Sequence, residues 1–348
     1  MFKPYNKAEI TFDLITEIGQ AGRNSRTFVS MDHQLDAEIV VKQIPKAKIA
    51  STANFFVDES KALYASAHPN VVQIHYACED TDSVYLAMPY YRKGSVTGLI
   101  TGKNMTVREI VTVGCQILSG LHNIHSKGLI HFDVKPDNIL LSDRQEALLS
   151  DFGLAKQMNL SGVAFQDRLY FKMVAPEAIV SDKFDRTCDI YQFGLTLYRM
   201  CNGDAAFYAQ HAAYGAGTAF DRDKFKFDVR NGRFPDRKAF APHIPNRLRS
   251  IIKKCMEPAI ADRYQSAIDV ANALALLDGA TLDWRLAKTP DKRVWIKNES
   301  GTNYEFTVYT GGQCECLKTV GAGQPRKVGD GCKASISETD IYKFLGSN

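Results

Sequence analysis

At 348 residues, 45% hydrophobic and 24% charged, the chain has the make-up of a globular protein with room for a large core and two or three domains. Its net charge of +4 is too mild to indicate nucleic acid or a membrane surface as a partner, and it has no apolar run of the about eighteen residues that a membrane helix needs. Met1 to Asn6 has no apolar core and does not read as a signal peptide. Five of the eight cysteines, from Cys78 to Cys255, stand singly in apolar segments, so reduced thiols and a cytoplasmic setting are expected.

In chain order, the first informative stretch is Ile18-Gly19-Gln20-Ala21-Gly22, a glycine-bearing turn whose backbone amides could approach an anion closely. Ile39-Val40-Val41-Lys42 reads as a buried strand ending in a lysine. Glu59 lies in a segment with helical apolar spacing at Phe55, Phe56, Ala62 and Leu63. Val84 to Pro89 reads as a further strand, running through Met88, Pro89 and Tyr91 into a Lys93-Gly94 turn. Val107 to His125 carries the 3.6-residue rhythm of a long helix at Ile110, Val113, Ile117, Leu118 and Leu121. Next comes His131-Phe132-Asp133-Val134-Lys135-Pro136-Asp137-Asn138, with Asp151-Phe152-Gly153 thirteen residues beyond it.

Phosphoryl transfer needs a carboxylate near the attacking hydroxyl, a cation near the moving group and oxygen ligands for a divalent metal. Asp133, Lys135, Asn138 and Asp151 supply that set in the order of the protein kinase signature. On these motifs, from about Ile15 to Leu277, the chain resembles the eukaryotic-like (Hanks-type) serine/threonine protein kinases. The resemblance implies an α+β, bilobal fold: a β-rich small lobe over 1–91 and a helical large lobe over 92–280. It implies ATP and Mg2+ (with Mn2+ as a substitute), protein substrates, Asp133 and Lys135 as catalytic residues, and Asn138 and Asp151 as metal ligands. Nucleotide contacts would come from Ile18, Gly19, Ala21, Gly22, Lys42, Met88, Pro89 and Tyr91, with Glu59 orienting Lys42. Ala175-Pro176-Glu177 with Arg263, and Asp189, match its structural landmarks.

Four positions depart from the family pattern. Ala21 and Asn24 stand where the glycine loop usually has its second and third glycines. Phe132 replaces the arginine that, in many of these kinases, binds an activation-loop phosphate, so activity independent of that phosphorylation is expected. Tyr170 stands where a threonine usually touches the catalytic aspartate and lysine. Lys172 leans toward tyrosine kinases, whereas Lys135, which sits in the chemistry, favours serine/threonine specificity.

Asp204 to Asp228 is longer than the family usually has there and reads as a packed surface insertion; partner docking through 204–228 or 284–348 is the sharper alternative. The tail, 281–348, reads as a small β-rich domain: Asp291 to Ile296 and Asn303 to Tyr309 are strand-like, and glycine pairs punctuate the stretch beyond Tyr309. Cys314, Cys316 and Cys332 invite a zinc reading. The spacing is not that of paired C-x₂-C ligands and no histidine lies in the tail, so alternation along a strand, with Cys314 and Cys316 on one face, is favoured. Functionally, a serine/threonine protein kinase is expected. Its alternatives are a nucleotide-binding pseudokinase scaffold acting through the tail and a tyrosine or dual-specificity kinase.

Overall fold

The computed structural model describes residues 10–19, 25–48, 64, 66–102 and 104–347. Five antiparallel strands open it: β1 (Phe12–Ile18), β2 (Arg26–Asp32), β3 (Ala37–Pro45), β4 (Tyr76–Glu79) and β5 (Ser83–Pro89), in the order β1-β2-β3-β5-β4. β3 lies between β2 and β5, and Ile39 and Val41 pack with Ala87 against Phe12, Tyr76 and Tyr85. Because side chains alternate along a strand, this register presents Lys42 opposite Leu86.

A helical region follows. Helix α1 (Val96–Gly102) precedes the long α2 (Val107–Ser126), whose buried stripe of Ile110, Val113, Ile117, Leu121 and Ile124 matches its sequence period. Thr106 and Glu109 close its N-terminus as a capping box: the Thr106 hydroxyl accepts from the Glu109 amide and the Glu109 carboxylate accepts from the Thr106 amide. Gly128, at φ +76°, turns the chain out of the helix.

Short ladders come next: β6 (Leu129–Ile130) pairs with β9 (Lys156–Gln157), β7 (Ile139–Leu141) with β8 (Ala147–Leu149), and β10 (Ala164–Phe165) with β11 (Lys183–Phe184). They hold segment 131–151 above α3 (Thr187–Asn202), a helix buried from Thr187 to Cys201. Such all-round burial requires close neighbours. At Gly194 a Cβ would lie 2.7 Å from the Cys255 Cβ and 2.8 Å from the Met256 Cγ, so glycine is what lets α6 (Asn246–Cys255) approach. Between α3 and α6 lie α4 (Asp204–Ala212) and α5 (Arg222–Arg230), and α7 (Ala267–Ala275) packs on α2. The insertion is packed as expected: Phe207 and Phe225 are buried against Phe234 just beyond it, and His211 stacks on Phe220.

The C-terminal segment forms a five-stranded antiparallel meander, β12 (Arg285–Lys288), β13 (Lys292–Glu299), β14 (Thr302–Tyr309), β15 (Cys314–Val320) and β16 (Arg326–Lys327). The β13–β14 turn places Ser300 and Gly301 both at positive φ, the two-residue geometry whose twist suits a hairpin. Cys314 and Cys316 both face the buried side, as alternation requires, beside Trp295 and Phe306. A helix that the sequence did not announce, α8 (Glu338–Ser347), covers this core with Ile341, Phe344 and Leu345. The sheet is fastened to the helical region by Arg285–Glu109 (2.6 Å), Arg108–Asp283 (2.6 Å) and a hydrogen bond from the buried Trp295 indole to His243 Nδ1 (3.2 Å).

Candidate active site

Segment 131–138 is built from below by one face of α3. Asp189, Gln192 and Thr196 recur at i, i+3 and i+7, so their side chains share that face. The buried Asp189 carboxylate accepts from the His131 and Phe132 amides, both at 2.8 Å, and from His125 Nε2 at 2.7 Å. Gln192 accepts from the Val134 amide and donates to the Phe132 carbonyl, and the Thr196 hydroxyl donates to the Val134 carbonyl. These bonds hold Phe132 at φ +65°, a left-handed conformation that costs a residue with a Cβ about 1–3 kcal/mol. Asp189 was legible as a landmark; Gln192 and Thr196 were missed, although polar residues at i+3 and i+7 of an apolar helix were the available signal.

His131 is fully buried, donates through Nε2 to the Ser150 carbonyl and accepts the Asp133 amide at Nδ1. Burial pushes its pKa down, so it serves as a neutral strut. Phe132 points into the core and meets Phe184 of β11 edge-on at 5.4 Å, joining this loop to the 152–186 segment by apolar contact.

Asp133 Oδ2 accepts from the Lys135 ammonium and from Asn138 Nδ2, both at 2.7 Å, and Asn138 also donates to the Asp133 carbonyl. Asp133 Oδ1 is buried with no hydrogen-bond partner among the described residues. One oxygen is therefore fixed and the other is desolvated and vacant, an arrangement suited to receiving a hydroxyl proton. Asp151, at φ +59°, turns its Oδ1 to the Lys42 ammonium at 2.8 Å, which links β3 to the large lobe. That ammonium holds the Asp151 carboxyl well below the usual carboxylate range. Asn138 spends its amide nitrogen on Asp133, leaving its carbonyl oxygen as a hard donor alongside the Asp151 carboxylate. Such a donor set fits magnesium.

The remaining predicted residues divide by region. Ile18 ends β1, and Gly19 follows at φ +77°. Met88 and Pro89 end β5 opposite Val40 and Ile39; Tyr91, half-buried, follows, its hydroxyl pKa raised by burial. Ala21, Gly22 and Glu59 lie outside the described residues, as does the expected Lys42–Glu59 pairing.

Tyr170 replaces a threonine hydroxyl with a ring: the Lys135 ammonium sits 4.4 Å from its centroid. Behind it, the fully buried Arg199 holds both Asp204 oxygens at 2.7 and 2.8 Å and reaches Asp137 at 3.3 Å. Glu177 and Arg263 form a two-pronged buried pair at 2.8 and 2.6 Å.

A family model described as "Protein kinase domain" matches residues 12–273, so the chain belongs to the protein kinase family. Among similar proteins is serine/threonine-protein kinase PknJ of Mycobacterium tuberculosis, 29% identical over 237 residues, covering 66% of this chain and 39% of that protein. A probable serine/threonine-protein kinase of Clostridium perfringens is 27% identical over 272 residues, 76% of this chain and 38% of the relative. Probable serine/threonine-protein kinase samkB of Dictyostelium discoideum is 34% identical over 172 residues, 44% of this chain and 28% of the relative. The chain thus spans about two fifths or less of these relatives' lengths. No described helix is long and apolar enough to cross a membrane.

Proposed function

We propose that the chain transfers the γ-phosphoryl group of ATP to serine or threonine hydroxyls of proteins. The vacant, buried Asp133 Oδ1 beside an Oδ2 pinned by Lys135 and Asn138 carries this reading. In it, Asp133 orients the acceptor hydroxyl and takes its proton, while Lys135 offsets charge on the transferring group. Lys42, oriented by Glu59, binds the α- and β-phosphates, with Ile18, Gly19, Ala21 and Gly22 covering them. Met88, Pro89 and Tyr91 line the adenine side. Asn138 and Asp151 hold Mg2+, which when bound neutralises phosphate charge.

Activity without a phosphate on segment 154–174 is part of the proposal, because the slot of the usual arginine is filled by Phe132 packed on Phe184. The reading also takes 1–280 as the catalytic domain, with lobes dividing near Tyr91, 281–348 as an appended domain, and a cytoplasmic setting. The test is transfer of labelled γ-phosphate from Mg-ATP followed by phosphoamino-acid mapping. Label on serine or threonine is expected. Label on tyrosine alone would overturn the assigned specificity, and ATP binding without transfer would indicate a scaffold.

A further inference from the structure

Two cations flank the loop that follows Tyr170 and have no anionic partner among the described residues. The Lys172 ammonium lies 4.9 Å from the Tyr208 ring centroid, and the Arg222 guanidinium lies 5.3 Å from that of Phe171. Lys172 is half-buried and Arg222 exposed. Two of the carboxylates nearby are already engaged: Asp204 is held through both oxygens by the buried Arg199, which also reaches Asp137, four residues beyond Asp133. Beside Asp204 and Asp137 a cationic substrate side chain would therefore meet acids already paired, and at the loop two bases with no anionic partner among the described residues. An acidic one would meet Lys172 and Arg222. Past Phe171 a groove of about 620 Å³ opens toward α5, with Leu169, Phe171 and Phe184 among its apolar lining. Asp167 and Asp182 line it together with Arg222, so the groove as a whole is mixed in sign and a charge preference must come from the loop itself.

We infer that the chain selects acceptor hydroxyls flanked by acidic side chains, with Lys172 and Arg222 as the specificity-determining residues. The inference rests on the kinase reading above and deepens it to a substrate class. Neither residue belongs to the phosphoryl-transfer machinery, so their effect belongs in discrimination between peptides and not in ATP use.

The experiment compares kcat/KM of the full chain for peptides carrying one serine between glutamates, alanines or lysines. The glutamate peptide is expected to exceed the lysine peptide by about tenfold, the combined effect of one half-buried and one exposed charge pair with the glutamates and of repulsion against the lysines, and the gap narrows with added salt. Lys172→Glu with Arg222→Glu should reverse the order with the KM for ATP unchanged. Should that double variant fold poorly, Lys172→Ala, checked by an unaltered Tm, should still reduce the preference about threefold. Equal use of the three peptides, or an order indifferent to Lys172, overturns the inference. So does Asp133-dependent autophosphorylation with no peptide labelled, which leaves the kinase reading standing. Absence of any transfer, autophosphorylation included, removes the kinase reading and this inference with it.

Discussion

If apolar packing does the ordering that a phosphate does elsewhere, Phe184→Ala should disable the protein while Ser161→Ala should not. Phe184 is 3% exposed and meets Phe132, itself fully buried, edge-to-face at 5.4 Å. Removing a ring from such a site costs about 3–5 kcal/mol, of which the aromatic contact itself is about 1 kcal/mol. Part of that loss falls on the local β10–β11 ladder, two residue pairs long, which aligns the segment leading to Tyr170. Falling wholly on that equilibrium, it would lower the constant for the ordered segment by roughly two to three and a half powers of ten. Phe184→Leu keeps most of the apolar area and loses mainly the ring geometry, so a reduction of several-fold is expected. The assay is kcat for labelled transfer at saturating ATP, with Tm measured alongside to separate local from global loss. Wild-type activity in Phe184→Ala, or a hundredfold loss in Ser161→Ala, would refute the reasoning.

Other substitutions probe the frame and the tail. Burial holds the His243 pKa down to about 3, against an ordinary value of 6.5, with Lys288 and Arg249 adding repulsion. The unfolded chain therefore binds the extra proton between those values, so this contribution is whole above pH 6.5 and fades as pH falls toward 3, by up to about 1.4 kcal/mol per unit. Urea midpoints from pH 7.5 to 5 should fall less steeply in His243→Gln than in wild type; parallel slopes would contradict this. Arg263→Ala strands the Glu177 carboxylate, 10% exposed, and should lower stability by about 3–5 kcal/mol, read as a drop in Tm. Gly194→Val has no room between α3 and α6 and should leave little folded protein at 37 °C by circular dichroism; a wild-type melt would show that the helices can separate.

Elements were legible in the sequence wherever their signal is local. Helix α2 carries both its period and its capping box within twenty-one residues, Thr106 to Ser126, and its ends lie within a residue of the reading. The strands β13 and β14 are similarly local, legible through their Val, Ile, Tyr and Phe content, whereas the Ser300-Gly301 turn that joins them was not singled out. Helix α8 is ten residues long, too short to persist alone, and exists because Phe344 packs on Phe306 at 4.5 Å and the Trp284 indole bonds to the Leu345 carbonyl. At the site, the motif residues could be named from spacing alone, since the chemistry requires them in one order. The supports could not. Arg199, Asp204 and Tyr208 come together with Asp137 and Lys172 only because α4 folds back beside the loop, a return path set by aromatic packing far away in sequence.

The central claim is that Asp133 receives the acceptor proton, and Asp133→Asn tests it most directly. Asparagine preserves the shape of the group and can still hydrogen-bond, but it cannot serve as the base. Steady-state transfer from labelled Mg-ATP should fall by about 10²–10⁴-fold while ATP affinity, measured by calorimetry on the same preparations, stays within a few-fold of wild type. Transfer that survives in Asp133→Asn would contradict the account.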